Sequence, residues 1–137
     1  MPEMQPEMLT AWTSLWDLVE QRATATPDAD FAIDEGGRSL TFAGYRDAAL
    51  RAAAGLHALG IGEGDVVSWQ LPTWLESMVL VAAAARLGAV QNPMLPIYRD
   101  REVGFIVRQS GAKLLVVPGE WRGFDFAAMA RGIAADF

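Results

Sequence analysis

Residues 65–93 read DVVSWQLPTWLESMVLVAAAARLGAVQNP, and they contain two strand-like segments separated by a helix-like one. Asp65–Trp69 is short and mostly apolar, and Ala89–Val90 begins a second apolar segment immediately after Gly88. Gly88 stands where a glycine in the left-handed conformation commonly ends a helix. Strands joined through a helix form a crossover connection, so this stretch predicts a parallel sheet.

The helix inside this stretch also carries a start signal. Thr73 and Glu76 follow Pro72 with the Thr-x-x-Glu spacing of a capping box, so we expect the helix to begin at Thr73. The order helix, glycine, strand occurs twice more, with Gly60 before Asp65–Trp69 and Gly111 before Lys113–Val117. We expect the helix that precedes Gly111 near residues 101–110, with an apolar face formed by Val103, Ile106 and Val107.

The N-terminal part of the chain predicts two helices and a hairpin. Ser14 can cap a helix over residues 15–25, and Thr41 can cap another that ends at Gly60. Between them, residues 31–40 alternate around Asp34-Glu35-Gly36-Gly37 and predict a small β-hairpin. After the last strand, Trp121–Phe137 predicts a loop and then a helix from about Phe126 with no strand behind it, as in a larger unit that has been interrupted.

The predicted fold class is therefore α/β: an incomplete doubly wound, mainly parallel sheet with flanking helices and a small N-terminal β-hairpin. We expect residues 1–137 to form a single unit in which residues 1–13 are flexible.

Composition excludes several function classes. The chain of 137 residues has no cysteine and one histidine, which rules out disulfides, thiolate chemistry and a multi-histidine metal site. A net charge of −6 without a basic stripe argues against nucleic acid as a partner. The longest apolar run, Met78–Ala85, is far shorter than the roughly 20 residues of a membrane span. Residues 1–13 contain no base and so lack the start of a signal peptide. We therefore expect no transmembrane segment and a cytoplasmic location.

Few residues stand out as carriers of chemistry. The glycines of Gly60–Asp65 lie after a helix and before a strand, which is the reverse of a phosphate-binding fingerprint, and Gly36-Gly37 lies in the hairpin. We interpret both as turns. His57 is interpreted as a helix-end residue and Lys113 as a solvated strand end, with a catalytic base and an activated amine as the alternatives.

Three further groups of residues have both a structural and a functional interpretation. The charged run Tyr98–Glu102 is interpreted as a solvated face with local ion pairs, and an anion contact by Arg99 or Arg101 is the alternative. Trp16, Trp69 and Trp74 are interpreted as packing residues. Asn92–Tyr98 leaves the carboxyl edge of the predicted sheet, where such folds bind ligands, and its two prolines also fit a rigid connection.

Five motifs in order resemble the N-terminal quarter of the adenylate-forming acyl-CoA synthetases. They are Leu-Thr-Phe-x-x-Tyr (40–45), Leu-x-x-Leu-Gly-Ile-x-x-Gly-Asp-Val-Val (56–67), Leu-Pro-Thr-Trp (71–74), Ala-Ala-Ala-Arg-Leu-Gly-Ala-Val-x-Asn-Pro (83–93) and Ser-Gly-Ala-Lys-Leu-Leu (110–115). Residues 91–99 and Trp121–Asp125 further resemble the branch that contains cyclohexanecarboxylate-CoA and medium-chain acyl-CoA ligases.

The resemblance implies a two-step reaction in which a carboxylate attacks the α-phosphate of ATP with Mg²⁺, and coenzyme A then displaces AMP. The family's phosphate loop with its lysine, its Tyr-x-x-Thr-Glu motif, its ribose-binding aspartate and its C-terminal lysine match nothing in residues 1–137. We therefore predict no catalytic, cofactor-binding or metal-binding residue in this chain, and ATP, Mg²⁺ and coenzyme A only for the full-length family.

Two functions follow as hypotheses. The first is an N-terminal fragment of an ATP-dependent acyl-CoA ligase, inactive alone, which associates with the rest of the synthetase or with itself through a sheet edge left open after Val117. Its family substrate is a carboxylic acid. The alternative is a small non-catalytic α/β binding or interaction module derived from that family.

Overall fold

A computed structural model describes residues 12–137. The predicted flexible segment 1–13 therefore lies almost entirely outside the described residues. In chain order the elements are α1 (Leu15–Ala25), β1 (Asp30–Ile33), β2 (Ser39–Thr41), α2 (Phe42–Ala58), β3 (Val66–Trp69), α3 (Leu75–Leu87), β4 (Val90–Pro93), α4 (Asp100–Ser110), β5 (Leu114–Val116), β6 (Glu120–Trp121), β7 (Phe124–Asp125) and α5 (Phe126–Ala134).

The central sheet has the strand order β4-β3-β5, and both strand pairs are parallel. Val66 lies opposite Val90 on one side of β3, and Val67 lies opposite Leu114 on the other. Helix α3 connects β3 to β4, and α4 connects β4 to β5. The α/β class with a parallel sheet and flanking helices is thus confirmed.

One face of the sheet is covered by α2 and α3. Val67 in β3 packs with Leu56 from α2 and Leu80 from α3, and Leu114 and Val116 extend this core along β5. On α3, Ala82, Ala83 and Ala84 are all fully buried. Consecutive buried positions occur because α3 packs against α1 and α2 as well as the sheet, which explains its long apolar run.

The opposite face is covered by α4 and α5. Val103 and Val107 of α4 meet Phe126, Met129 and Ile133 of α5, and the cluster packs against Leu115 and Val117. Successive residues of β5 therefore point to different helix layers, as a strand buried on both faces requires.

A third cluster holds α1 and the N-terminal hairpin. Phe31 of β1 stacks on Tyr45 of α2 with ring centroids 3.8 Å apart. The Tyr45 hydroxyl donates to the carbonyl of Met78 at 2.9 Å, and burial raises the pKa of Tyr45 to about 12. The predicted hairpin, helix α1 and the Thr41 cap of α2 are all confirmed. In residues 12–137 no helix combines the length and apolar character that crossing a bilayer requires.

Three local predictions were wrong. The N-cap of α3 is Trp74, and the side chain that bonds back to its amide is Ser77, so Thr73 and Glu76 do not form the predicted capping box. The Ser77 hydroxyl accepts from the Trp74 amide at 3.3 Å, whereas the Glu76 carboxylate turns outward to Arg38. Strand β4 also extends to Pro93, so Asn92 belongs to the sheet, where its amide donates to Ser68 Oγ at 2.9 Å.

The third error concerns residues 121–125, which the sequence predicts as loop. Together with Glu120 they form a tight antiparallel hairpin in which Trp121 lies opposite Phe124. Strands of two residues are too short to show alternation in a sequence.

Candidate functional site

A cleft of about 1360 Å³ opens where β3 and β4 end. The loops that follow these strands, residues 70–74 and 94–99, supply much of its lining. Ligands of open α/β sheets bind outside the carboxyl ends of the strands. The segment Asn92–Tyr98 lies at this edge, as its sequence position predicted, and the carboxyl-edge cleft is therefore the candidate site.

Aromatic side chains form much of the cleft wall. Trp69 ends β3, Trp74 caps α3, and Trp121 ends β6. The rings of Trp74 and Trp121 meet edge to face with centroids 6.3 Å apart. Leu71 and Met94 add apolar surface beside them. The interpretation of Trp69 as a packing residue accounts for only part of its role, because it both joins the core and faces the cleft.

A buried amide holds the β4–α4 loop in place. Gln70 is completely buried, and its Nε2 donates to the carbonyls of Leu95 at 2.8 Å and Tyr98 at 2.9 Å. Both hydrogens of the amide are thereby used. Its Oε1 is buried without a partner in the described part of the chain, as is Trp69 Nε1. The Gln70 side chain thus ties the loop to the end of β3.

The turn of the N-terminal hairpin forms another wall. Arg38 donates from Nε to Asp34 Oδ2 at 2.6 Å and from Nη1 to Glu76 Oε1 at 2.7 Å. The Arg38 guanidinium holds the pKa of both carboxyls below their usual values, chiefly through these hydrogen bonds. The turn is therefore attached electrostatically to the start of α3.

The two arginines proposed as alternative anion contacts do not form a common site. Arg99 donates from Nη1 to the carbonyls of Pro96 and Tyr98, and its guanidinium lies 4.0 Å from the centroid of the Phe124 ring. Arg101 lines a separate groove between α4 and α5. Within the charged run Tyr98–Glu102, the described contact is a hydrogen bond and not an ion pair: the Glu102 carboxylate accepts from the Arg99 backbone amide at 3.2 Å.

The glycine-rich segment Gly60–Asp65 forms a self-contained turn. Asp65 Oδ2 accepts from the Gly62 amide at 2.8 Å and from Lys113 Nζ at 3.0 Å, and Lys113 also donates to the carbonyl of Gly60 at 2.6 Å. The Lys113 ammonium and the Gly62 amide lower the pKa of Asp65. His57 is exposed near the end of α2.

The two strand-to-helix loops at the cleft lack the glycines that a phosphate cradle uses. A phosphate cradle needs closely approaching backbone amides, which glycines provide. The two strand-to-helix loops at this edge, residues 70–74 and 94–99, each contain a proline and no glycine. Among residues 12–137 no group of three or more His, Cys, Asp or Glu side chains could hold a metal ion.

Sequence reasoning missed Gln70 and Arg38. Gln70 stands directly after a buried strand at the carboxyl edge, and a polar residue at that position was an available signal. Arg38 gave no such signal, because its partner Glu76 is 38 positions away in the sequence.

Residues 19–135 match the family of AMP-binding enzymes. The chain is 36% identical over 105 residues to a medium-chain fatty-acid–CoA ligase of Escherichia coli (strain K12), an alignment that covers 77% of this chain and 19% of the relative. It is 38% identical over 123 residues to a salicyl-AMP ligase/salicyl-S-ArCP synthetase of Mycobacterium tuberculosis, covering 87% of this chain and 22% of the relative.

Structure comparison agrees with these matches. A crystal structure of the N-terminal domain of FACL13 from Mycobacterium tuberculosis superimposes with a TM-score of 0.75 at 33% identity, over 77% of this chain and 27% of that one. The chain spans about a fifth of the length of the curated relatives it matches. By its sequence match and its fold, the chain belongs to the AMP-binding enzyme family and corresponds to the N-terminal portion of its acyl-CoA and aryl-acid ligases.

Proposed function

We propose that the chain serves as the N-terminal part of an ATP-dependent acyl-CoA ligase, to which it contributes scaffold and one wall of a ligand cleft. The whole enzyme would convert a carboxylic acid, ATP and coenzyme A into acyl-CoA, AMP and pyrophosphate. The observation that supports this role is the carboxyl-edge cleft on a layer that matches the AMP-binding enzyme family over residues 19–135.

The catalytic groups are proposed to come from outside this layer. Adenylate formation needs donors around the phosphates, Mg²⁺ and a cation that stabilises the developing charge. The cleft-lining loops of residues 70–74 and 94–99 offer no phosphate cradle. We therefore assign no catalytic, cofactor-binding or metal-binding role to residues of this chain, and we place ATP, Mg²⁺ and coenzyme A with the whole enzyme.

The acid is proposed to have an apolar body. Three tryptophans together with Leu71 and Met94 line the cleft, which favours a medium-chain, alicyclic or aromatic acid over a short polar one. Relatives with the names medium-chain fatty-acid–CoA ligase and salicyl-AMP ligase bracket this range.

A second surface is proposed to receive the rest of the synthetase. A groove of about 1080 Å³ runs between α2, α3 and the free edge of β5, and it is lined mainly by apolar side chains. Leu59 at this groove is 68% exposed. An additional strand that pairs with β5 would cover the groove and complete the sheet, because an edge strand offers unpaired backbone groups. When this partner is absent, we expect the chain to associate with itself there.

The same apolar groove favours the alternative function, a non-catalytic interaction module. In a ligase the groove would be covered by the rest of the synthetase, whereas in an interaction module it would be covered by an unrelated partner. A cytoplasmic location is part of the ligase proposal, since the reaction consumes ATP and coenzyme A.

A domain exchange tests the proposed function. The segment of the Mycobacterium tuberculosis salicyl-AMP ligase that aligns with this chain is replaced by this chain, and salicylate-dependent pyrophosphate release is measured. We expect at least about one hundredth of the parent rate. The matched control carries Val67→Asp, which places a charge in the centre of the sheet and should abolish activity. A folded chimera with no activity contradicts the proposal.

A further inference from the structure

We propose that Arg122 binds the carboxylate of an apolar acid whose body lies against the tryptophans of the carboxyl-edge cleft. This inference rests on the proposed function for the statement that the cleft receives a ligand. The observations that carry it are the backbone at Arg122, the surroundings of its guanidinium and the character of the cleft wall.

The backbone at Arg122 is unfavourable for an arginine. Arg122 and Gly123 form the two-residue loop between β6 and β7, with φ angles of 49° and 76°. Such a loop is a type I′ turn, which favours asparagine, aspartate or glycine at its first position. Among the described residues 12–137, Arg122 is the only non-glycine residue with a positive φ. Backbone strain of this kind is concentrated at binding and active sites.

The Arg122 guanidinium is held at the cleft and is available to an anion. It lies 4.5 Å from the centroid of the Trp121 ring, and the side chain lines the cleft. Within residues 12–137 no carboxylate lies within 4.0 Å of it, whereas Arg38, the other arginine of the cleft, is paired with Asp34 and Glu76. The Arg122 guanidinium is thus the cationic group of this cleft that can form an ion pair with a ligand.

The wall of the cleft selects the kind of anion. Trp69, Trp74 and Trp121 offer apolar surface, which fits a monoanion with an apolar body. A densely charged phosphate group fits less well, because the exposed Glu35 lines the same cleft and repels a multiply charged anion more strongly than a monoanion. Asp34 also lines the cleft, but its charge is paired with Arg38.

A ligand pair tests the charge requirement on the complete 137-residue chain. Calorimetric titration compares cyclohexanecarboxylate with cyclohexylmethanol, which has a similar apolar body without the charge. We expect the acid to bind about 10-fold more tightly than the alcohol, as for one charge-assisted hydrogen bond. Equal affinities, or no saturable binding of the acid, overturn the proposal, as does inorganic phosphate that binds more tightly than the acid.

Variants of Arg122 test the residue. Arg122→Gln removes the charge and should weaken acid binding about 10-fold while leaving alcohol binding unchanged. Arg122→Lys keeps the charge but loses the planar guanidinium that lies over Trp121, so its affinity for the acid should fall between those of the parent chain and Arg122→Gln. Arg131→Gln, at an exposed arginine of α5, is the matched control and should change nothing. Unchanged acid binding in Arg122→Gln contradicts the proposal. Binding is measured without turnover, so this failure is distinguishable from failure of the domain exchange.

Discussion

Arg38 Nη1 donates to Glu76 Oε1 at 2.7 Å and joins the N-terminal hairpin to the first turn of α3. The same guanidinium holds Asp34 at the other end of the hairpin turn. Because this turn lines the carboxyl-edge cleft, an ion pair between residues far apart in the sequence shapes the candidate ligand site.

This network predicts an acid-sensitive contribution to stability. Arg38 lowers the pKa of Asp34 and Glu76 in the folded state, so the contribution is complete above their unfolded pKa values of 3.8 and 4.5. It is lost as the pH falls through the lower, folded values. Arg38→Gln should therefore lower the thermal midpoint at pH 6 by no more than about 3 °C, and by less at pH 3.

Arg46→Gln is a suitable control for Arg38→Gln, because Arg46 pairs only with its neighbour Asp47 among the described ion pairs. It should show no comparable pH dependence in a series of thermal melts. An Arg38→Gln deficit that is as large at pH 3 as at pH 6 would contradict the assignment.

Phe126 should carry much of the stability of the second helix layer. Its ring is 1% exposed between Trp121 and Phe124 at the start of α5. Phe126→Ala leaves a cavity and should lower the free energy of unfolding by about 3–5 kcal/mol, measured with a chemical denaturant. Phe105→Ala on α4, where the ring is 59% exposed, should change it by less than about 0.5 kcal/mol. Equal effects would mean that α5 does not pack as described.

Gln70 should tolerate an apolar replacement better than a charged one. Gln70→Glu places a carboxylate against the carbonyls of Leu95 and Tyr98, so burial and these acceptors raise its pKa in the folded state. The variant should lose about 2–4 kcal/mol of stability at pH 7, and less at pH 4, where the acid is protonated and can donate.

Gln70→Met has a similar volume and no charge, and it serves as the matched variant. Its cost should be about 1–2 kcal/mol and independent of pH. Denaturant titrations at pH 4 and pH 7 separate the two variants, and a Gln70→Glu deficit that does not grow with pH would contradict the proposed contacts.

The groove beside β5 should bind apolar dyes and promote self-association. Leu59→Lys introduces a charge at the exposed groove residue and should reduce dye fluorescence at least about 2-fold and shift size-exclusion elution toward monomer. Ile97→Lys is the control, since Ile97 is 74% exposed but does not line this groove. If both variants behave alike, the groove is not the associating surface.

The order of elements was predictable because each helix carries local signals. Ser14 and Thr41 cap their helices, and Gly88 and Gly111 end theirs with left-handed backbones. These signals depend on neighbouring residues alone. The start of α3 was misplaced because Glu76 has a distant partner, Arg38, whose attraction no local pattern records.

The position of the cleft was predictable, but most of its contacts were not. Parallel strands with a common carboxyl edge brought Asn92–Tyr98 to the expected place. The pairing of Gln70 with two carbonyls, and the arrival of Trp121 beside Trp74, depend on how the layers pack. Tertiary contacts of this kind have no signature in spacing or composition.

We propose that this layer forms one wall of a ligand cleft and that the groups that bind the triphosphate come from outside residues 1–137. The most direct measurement is AMP release by the purified 137-residue chain with ATP, Mg²⁺, coenzyme A and a panel of carboxylic acids. The account predicts a rate no higher than that of protein-free controls. Acid-dependent AMP release that the Val67→Asp substitution abolishes would contradict it.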